Sequence, residues 1–394
     1  MSKTTFLAAL AAGLVAASAA HAADATYDEN ANWLAGFGAT TQHLTDAGEM
    51  SETAVGSLNN AVENAQDPDA LNQGPYQLHQ WPWNGDPDRE PCGREALVPI
   101  AAEGCYAGRT QRVSFDNGAG LTLDGTVFHP DSDTLRDAEG RVPGVVISDG
   151  FQGNQKMYWW AAQGLAEAGY LVMTYDVSGQ GHSQGSATGD AAAELHEAVD
   201  YFIGAERDWA DELQAGNVGM AGHSMGAGAV QSVGNANRPE INAIVAWSDL
   251  GPGYTGDAPI QGQGADYDNW IFPPVPSEDG PDSEAKLDGF DAVRGRGVDV
   301  QEVVIESASH LAWSHVDGAW TSTWSEEVAA FYTLAWFDRY LGDDFPREGV
   351  SATERLVSNY EAREAPGHGL SRKYLSAYSI GADLCRDQRD REGC

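Results

Sequence analysis

From residue 144 to residue 342 the chain repeats one pattern, a short apolar run followed by a stretch of helical character. GVVISDG (144–150) precedes a helical stretch near 156–168, YLVMTYD (170–176) precedes AAAELHEAVDYFIG, and NVGMAG (217–222) precedes GAGAVQSVG. INAIVAWSD (241–249) and QEVVIESASH (301–310) continue the series, the last ahead of SEEVAAFYTLAWFDRYLG. Strands that are apolar along their length are buried on both faces, and the helices between them supply the cover. The expected fold class is therefore α/β, with a mostly parallel central sheet and helices on both faces. Ahead of it, RVSFDNG and LTLDGTVFHP alternate apolar and polar residues around Asn117-Gly118, which predicts an antiparallel hairpin at the N-terminal edge.

The ends of the chain read differently. Lys3, the apolar run FLAALAAGLVAASAA and the small-x-small site Ala20-His21-Ala22 predict an export signal over residues 1–22, too short to span a membrane. Residues 23–90 are polar, alanine-rich and weakly periodic, and 23–110 are read as an N-terminal extension. The α/β domain is expected over 111–345, with a C-terminal tail over 346–394. The location implied is secreted, extracellular or periplasmic. Cys92, Cys105, Cys385 and Cys394 form an even set suited to disulfides in an exported chain. Four cysteines permit three pairings, of which the local loops Cys92–Cys105 and Cys385–Cys394 are the simplest. The formal net charge of −37 repels phosphate backbones and anionic lipid heads, so nucleic acid is an unsuitable partner. Oligomeric state is not readable.

Two pentapeptides fit the pattern G-x-S-x-G: GHSQG at 181–185 and GHSMG at 222–226. The pattern carries meaning only where a strand enters it and a helix leaves it, because the serine must then sit on a tight, strained turn. Ser224 has both flanks, NVGMAG before and a run of small residues after. Gly222 and Gly226 leave room for a close strand–helix crossing, to which Gly228 is expected to contribute. Ser183 lies instead in a loop, between SGQ and GSATGD. Ser224 is the candidate nucleophile, and Ser183 is read as a turn residue.

At this point the chain resembles the α/β-hydrolase family over roughly residues 111–342. Asp176-Val177-Ser178-Gly179-Gln180-Gly181-His182-Ser183 is similar to that family's structural D-x-R-G-x-G-x-S loop, with Ser178 where an arginine is usual, a departure that removes one loop anchor. The nearest branch is the cutinase-like and dienelactone-hydrolase-like esterases. The resemblance implies a catalytic order of serine, acid, histidine along the chain. His310, closing the last strand, is then the general base, ahead of its rival His315. The acid should follow the strand APIQGQGAD (258–266), which is glycine-rich and weakly apolar. Asp266 is favoured as the first carboxylate past that strand, with Asp268 and Asp249 as alternatives. An oxyanion needs preorganised N–H donors. The Met225 amide is one, and the Phe151 amide, from the loop Asp149-Gly150-Phe151-Gln152-Gly153-Asn154, is the other. No metal or cofactor is implied.

Aromatic residues crowd the loops around these positions: Phe151, Tyr158, Trp159, Trp160, Trp247, Tyr267, Trp270, Phe272, Trp313 and Trp320. They are candidates for an apolar acyl pocket, although Trp159, Trp160 and Trp247 are read first as core. The expected function is hydrolysis of small-molecule or polymeric carboxylic esters, of carboxylesterase, lipase or polyesterase type, through an acyl-enzyme. A peptidase on the same fold and a non-catalytic binding protein are the competing readings.

Overall fold

The structure, a computed structural model, describes residues 108–386 apart from 152, 186–187, 249, 268–286, 311–312, 315–322, 358–374 and 382. The readings for the export signal, the N-terminal extension up to residue 107, Cys92, Cys105, Cys394, Asp249, Asp268, Trp270, Phe272, His315 and Trp320 fall outside them.

Ten strands form one sheet: β1 (Thr110–Asp116), β2 (Thr122–Phe128), β3 (Val142–Ser148), β4 (Leu171–Tyr175), β5 (Leu213–His223), β6 (Ile241–Trp247), β7 (Ile260–Tyr267), β8 (Val300–Ser309), β9 (Leu375–Ile380) and β10 (Leu384–Arg386). Their order is β1-β2-β4-β3-β5-β6-β7-β8-β9-β10. The six inner strands, from β4 to β8, pair parallel. The pairings β1/β2, β2/β4, β8/β9 and β9/β10 are antiparallel. The sheet is therefore mixed, with parallel strands confined to its centre. The far edge comes from the C-terminal segment, whose short strands LSAYSI and LCR carry no strong apolar run for a sequence reader to find.

The turn from β1 to β2 is longer than a two-residue loop. It spans residues 117–121, is closed by Asn117 N–H donating to Leu121 O at 2.8 Å, and takes its left-handed residue at Gly120 rather than Gly118. The Asn117 carbonyl side chain organises it by accepting from the amides of Ala119 and Leu121, the usual means by which asparagine builds turns.

Helices α1 (Trp159–Glu167), α2 (Ala191–Phe202), α3 (Met225–Gly234), α4 (Asp288–Arg294), α5 (Thr323–Tyr340) and α6 (Ala352–Val357) flank the sheet. α2 starts where Asp190 accepts hydrogen bonds from the amides of Ala192 and Ala193, satisfying two of its orphan donors. Side chains of β3 divide by parity. Val145 and Ile147 join a core with α1 and α5, whereas Val142 and Val146 join a second core with α2, α3 and α4. Each fully buried valine or isoleucine contributes about 1.5–3 kcal/mol, so a register slip of one residue would forfeit both cores.

Strand β7 looked weakly apolar for a reason visible in three dimensions. Gln261 and Gln263 are fully buried and form a side-chain ladder with Gln301 of β8. Gln263 Nε2 donates to Gln261 Oε1, Gln261 Nε2 to Gln301 Oε1, and Gln301 Nε2 to the Leu356 carbonyl of α6. The intervening Gly262 is pressed against Glu302 and Leu250, so a Cβ there would collide with both. A polar core strand is tolerated because the amides are hydrogen-bonded.

Candidate active site

Ser224 occupies the single residue between β5, which ends at His223, and α3, which begins at Met225. Its backbone stands at φ 56°, ψ −113°, a conformation that costs a non-glycine residue of order 1–3 kcal/mol and persists only when neighbours impose it. The neighbours are identifiable. The Ser224 amide donates to Trp247 O at 3.1 Å and to Ser248 Oγ at 3.2 Å, while Gly228 N–H donates to Ser224 O and opens the helix. Ser248, at the end of β6, is itself held at φ 84°. A Cβ on Gly222 would overlap the Gly226 carbonyl, and one on Gly226 would lie 2.5 Å from Ser148 O and 2.7 Å from Asp149 O. These two glycines are steric requirements of the turn. Gly228 is not, because a side chain there would point into open space.

His310 follows β8 directly. Its Nε2 lies 2.9 Å from Ser224 Oγ, across 86 residues of sequence. Both side chains are partly buried, and both sit at the C-terminal ends of parallel strands, where open α/β sheets place their ligands. For the hydroxyl to donate across this contact, Nε2 must be the bare nitrogen.

The rest of the expected set is distributed around this pair. Met225 is half-buried at the first position of α3, where the leading amides have no acceptor within the helix and carry the positive end of its dipole. Phe151 stands on the turn after β3 with its side chain 56% exposed. β7 runs through Asp266 to Tyr267, and Tyr267 pairs with Ser309, the residue before His310. Asp266 therefore belongs to the strand, and the first carboxylate beyond it is Asp268. The criterion that singled out Asp266 passes to its neighbour.

The other pentapeptide, GHSQG, is a turn in which Ser183 is buried. Ser183 Oγ donates to Asp176 O at 2.6 Å and accepts from Asp124 N–H at 2.8 Å. Asp176 Oδ1 accepts from Gln155 N–H and Oδ2 from His182 N–H. Burial outweighs these bonds and pushes its carboxyl up to about 6. Ser178, standing where an arginine is usual, replaces that anchor by other means: its amide and its hydroxyl both donate to Glu194 of α2, at 2.8 and 2.6 Å. Asp124, Asp176 and His182 converge closely enough to suggest a cation site. The Asp176 oxygens and Asp124, however, are already engaged by Gln155, His182 N–H and Arg112, so the group reads as a structural network.

The aromatic inventory resolves into a wall and one exposed ring. Tyr158, Trp159, Trp247 and Trp313 are all under 5% exposed. Trp247 Nε1 donates to Thr333 Oγ1, Trp313 Nε1 to Gln263 Oε1 and Trp160 Nε1 to the Trp313 carbonyl. Tyr158 and Trp313 are thus core rather than pocket lining, because each finds its polar partner inside. Among the described residues Phe151 is the large aromatic left facing solvent. Cys385, on β10, is disulfide-bonded.

His223, the second residue of GHSMG, is a part of the site that the motif alone did not single out. It is buried between Tyr158, His310 and Trp313, with ring centroids 5.7, 4.9 and 5.9 Å away. Burial first, and the neighbouring His310 second, hold its ring well below the usual histidine range.

Residues 86–251 match a family model described as PET hydrolase-like. That span contains Phe151, the Asp176–Ser183 loop and Ser224, and stops short of Asp266 and His310. Among curated proteins, the chain is 25% identical over 232 residues to bis(hydroxyethyl) terephthalate hydrolase of Streptomyces coelicolor, covering 56% of this chain and 63% of that one. It is 23% identical over 246 residues to cutinase est1 of Thermobifida alba, covering 60% and 70%. It is 26% identical over 159 residues to cutinase 2 of Thermobifida cellulosilytica, covering 40% and 56%. The first of these relatives is thus matched over slightly less than two thirds of its length.

Proposed function

We propose that this chain, whose resemblance to cutinase-like α/β-hydrolases the comparisons bear out, cleaves carboxylic esters through an acyl-enzyme intermediate. The observation that carries the reading is the 2.9 Å approach of His310 Nε2 to Ser224 Oγ at a strained strand-to-helix turn. Ser224 Oγ attacks the ester carbonyl as His310 Nε2 takes its proton, which turns a weak nucleophile into an effective one. The tetrahedral oxyanion is received by the Phe151 and Met225 amides. His310 then returns the proton to the departing alcohol, and water repeats the cycle to release the acid. Of the candidate acids Asp266, Asp268 and Asp249, the one favoured to steady the imidazolium is Asp268, the first carboxylate in sequence after the strand that pairs with β8.

The substrate class follows from the exposed Phe151 next to the nucleophile turn. A flat aromatic face at an open rim suits an apolar or aromatic acyl group, either small or part of a polymer. The names of the terephthalate-ester and cutin-type relatives point the same way. The predicted export signal places this chemistry outside the cytoplasm, where such esters are met.

The test is Ser224→Ala in the purified protein, assayed on a short-chain nitrophenyl ester and on bis(hydroxyethyl) terephthalate, with fluorophosphonate labelling as a second readout. Wild-type turnover and labelling at Ser224, both abolished by the substitution, are expected. Undiminished turnover by Ser224→Ala would refute the assignment.

A further inference from the structure

Beneath the nucleophile turn a line of hydrogen bonds joins the oxyanion loop to the base. Gly150 N–H donates to Tyr158 Oη at 3.0 Å, Tyr158 Oη lies 2.9 Å from His223 Nδ1, and His223 Nε2 lies 2.7 Å from the backbone carbonyl of His310. The direction of each bond is fixed by elimination. A carbonyl oxygen only accepts, so His223 Nε2 carries the hydrogen. The ring is neutral because burial disfavours its charged form, so Nδ1 is bare and accepts the Tyr158 hydroxyl. Tyr158 stays protonated for the same reason, burial raising its phenol well above its ordinary value. Gly150 fits this line because a Cβ there would lie 3.0 Å from Tyr158 Oη and 3.2 Å from His223 Nδ1.

Resting on the proposed esterase reading, we propose that Tyr158 and His223 are positioning residues that fasten the His310 backbone and the Gly150–Phe151 turn to one buried strut. Neither touches substrate in this scheme. His310 stands immediately after β8, and its backbone carbonyl is the handle that His223 Nε2 grips. The strut runs through an aromatic wall, Tyr158 stacking near Trp247 at 6.3 Å and His223 beside Trp313, which keeps water from competing for the bonds. It makes the spacing between base and oxyanion donors a property of packed side chains rather than of loops. A displacement of about 1 Å at such a site can cost roughly a hundredfold in rate.

The experiment compares wild type with His223→Phe, His223→Gln, Tyr158→Phe and the double variant His223→Phe/Tyr158→Phe, on a nitrophenyl ester well below each melting temperature. Removing the donor to His310 is expected to lower kcat by about 10- to 100-fold while KM stays within about twofold, the signature of lost transition-state geometry. Glutamine, which keeps an N–H donor and a carbonyl acceptor, is expected to recover most of that loss. The double variant should be no worse than the poorer single variant by more than about twofold, since both break one chain. Nitrogen NMR of wild type should find one histidine protonated at Nε2, bare at Nδ1 and not titrating through the ordinary histidine range; its signals should vanish in His223→Phe. Full kcat in His223→Phe, multiplicative losses in the double variant, or a His223 ring protonated at Nδ1 would each overturn the proposal. A wild type without turnover or labelling would instead sink the esterase reading beneath it, and a variant losing only thermal stability would reduce the strut to packing.

Discussion

Asp338, near the end of α5, is fully buried and accepts four hydrogen bonds: Tyr170 Oη and Arg347 Nη2 on Oδ1 at 2.8 and 2.7 Å, Arg347 Nε and Arg355 Nη2 on Oδ2 at 2.6 and 2.7 Å. Arg355 lies on α6 and is itself 5% exposed, and Arg347 also donates to Ala168 O, so one carboxylate ties α1, α5 and α6 together. Asp338→Ala removes the shared acceptor of the buried Arg355 guanidinium and Tyr170 phenol and of the partly exposed Arg347. Removing one partner of a buried charge network costs about 3–5 kcal/mol, far more than the pair contributes relative to an apolar replacement. Tm falls roughly 2–4 °C per kcal/mol in a domain of this size, so the expected drop is about 6–20 °C. Thermal unfolding followed by circular dichroism reads it directly. Two comparisons make the reasoning strict. Asp338→Asn, which keeps the shape and part of the accepting capacity, should lose less; Asp133→Ala, the partner in the exposed Arg136 pair, should cost under about 1 kcal/mol. A Tm within 2 °C of wild type for Asp338→Ala would refute the network's role as the clamp on the C-terminal segment.

Further outcomes follow from the same geometry. Gly222→Ala should destabilise by about 1–3 kcal/mol and depress kcat more than Gly228→Ala, because only the first side chain overlaps backbone; equal effects in paired melting and ester assays would count against the crowded turn. Asp149 is buried, and burial, reinforced by the charge of Asp176, pushes its carboxyl well up. A folded state that holds its proton above the unfolded value loses stability as pH rises past about 4, by about 1.4 kcal/mol per pH unit until the folded group ionises. Asp149→Asn should therefore gain on wild type in denaturant midpoint between pH 4.5 and pH 7, and parallel curves would contradict the assignment. Among the three candidate acids, Asp268→Asn should cut kcat by about 10⁴-fold, as loss of the orienting carboxylate does in such triads, and Asp266→Asn or Asp249→Asn by less than tenfold; a different ranking would pass the role to the residue whose loss costs most.

What the sequence made legible was what the backbone imposes locally. Gly222 and Gly226 announced the turn because no side chain fits at either position. The alternation of apolar runs and helices announced the layers, since each buried face must be covered. Ser183 could be set aside because its flanks were a loop, and its hydroxyl is indeed consumed by Asp176 O and Asp124 N–H. Three things stayed hidden for physical reasons. β7 spends its core positions on glutamine, so hydropathy understates its burial. The C-terminal strands are short and add only main-chain pairing to an edge. The buried state of Tyr158 and Trp313 depends on partners far away in sequence, so composition alone offered them as pocket lining.

The case of His223 shows where that limit falls. Within GHSMG the turn dictates Gly222 and Gly226 by sterics and the chemistry dictates Ser224, but neither dictates an imidazole at 223. Its partners are a tyrosine 65 residues earlier and a carbonyl 87 residues later, so no window of sequence contains the reason for an imidazole there. An imidazole can donate from one edge while accepting at the other without carrying charge, as a buried position with a carbonyl on one side and a hydroxyl on the other demands. Phenylalanine would fill the space and take away the partner of two polar groups: the Tyr158 hydroxyl hydrogen and the His310 carbonyl. Each buried, unmatched group costs about 1–3 kcal/mol, enough to draw Tyr158 or His310 from its place in search of water. The residue between the glycine and the nucleophile is thus set by the base it holds rather than by the turn it occupies.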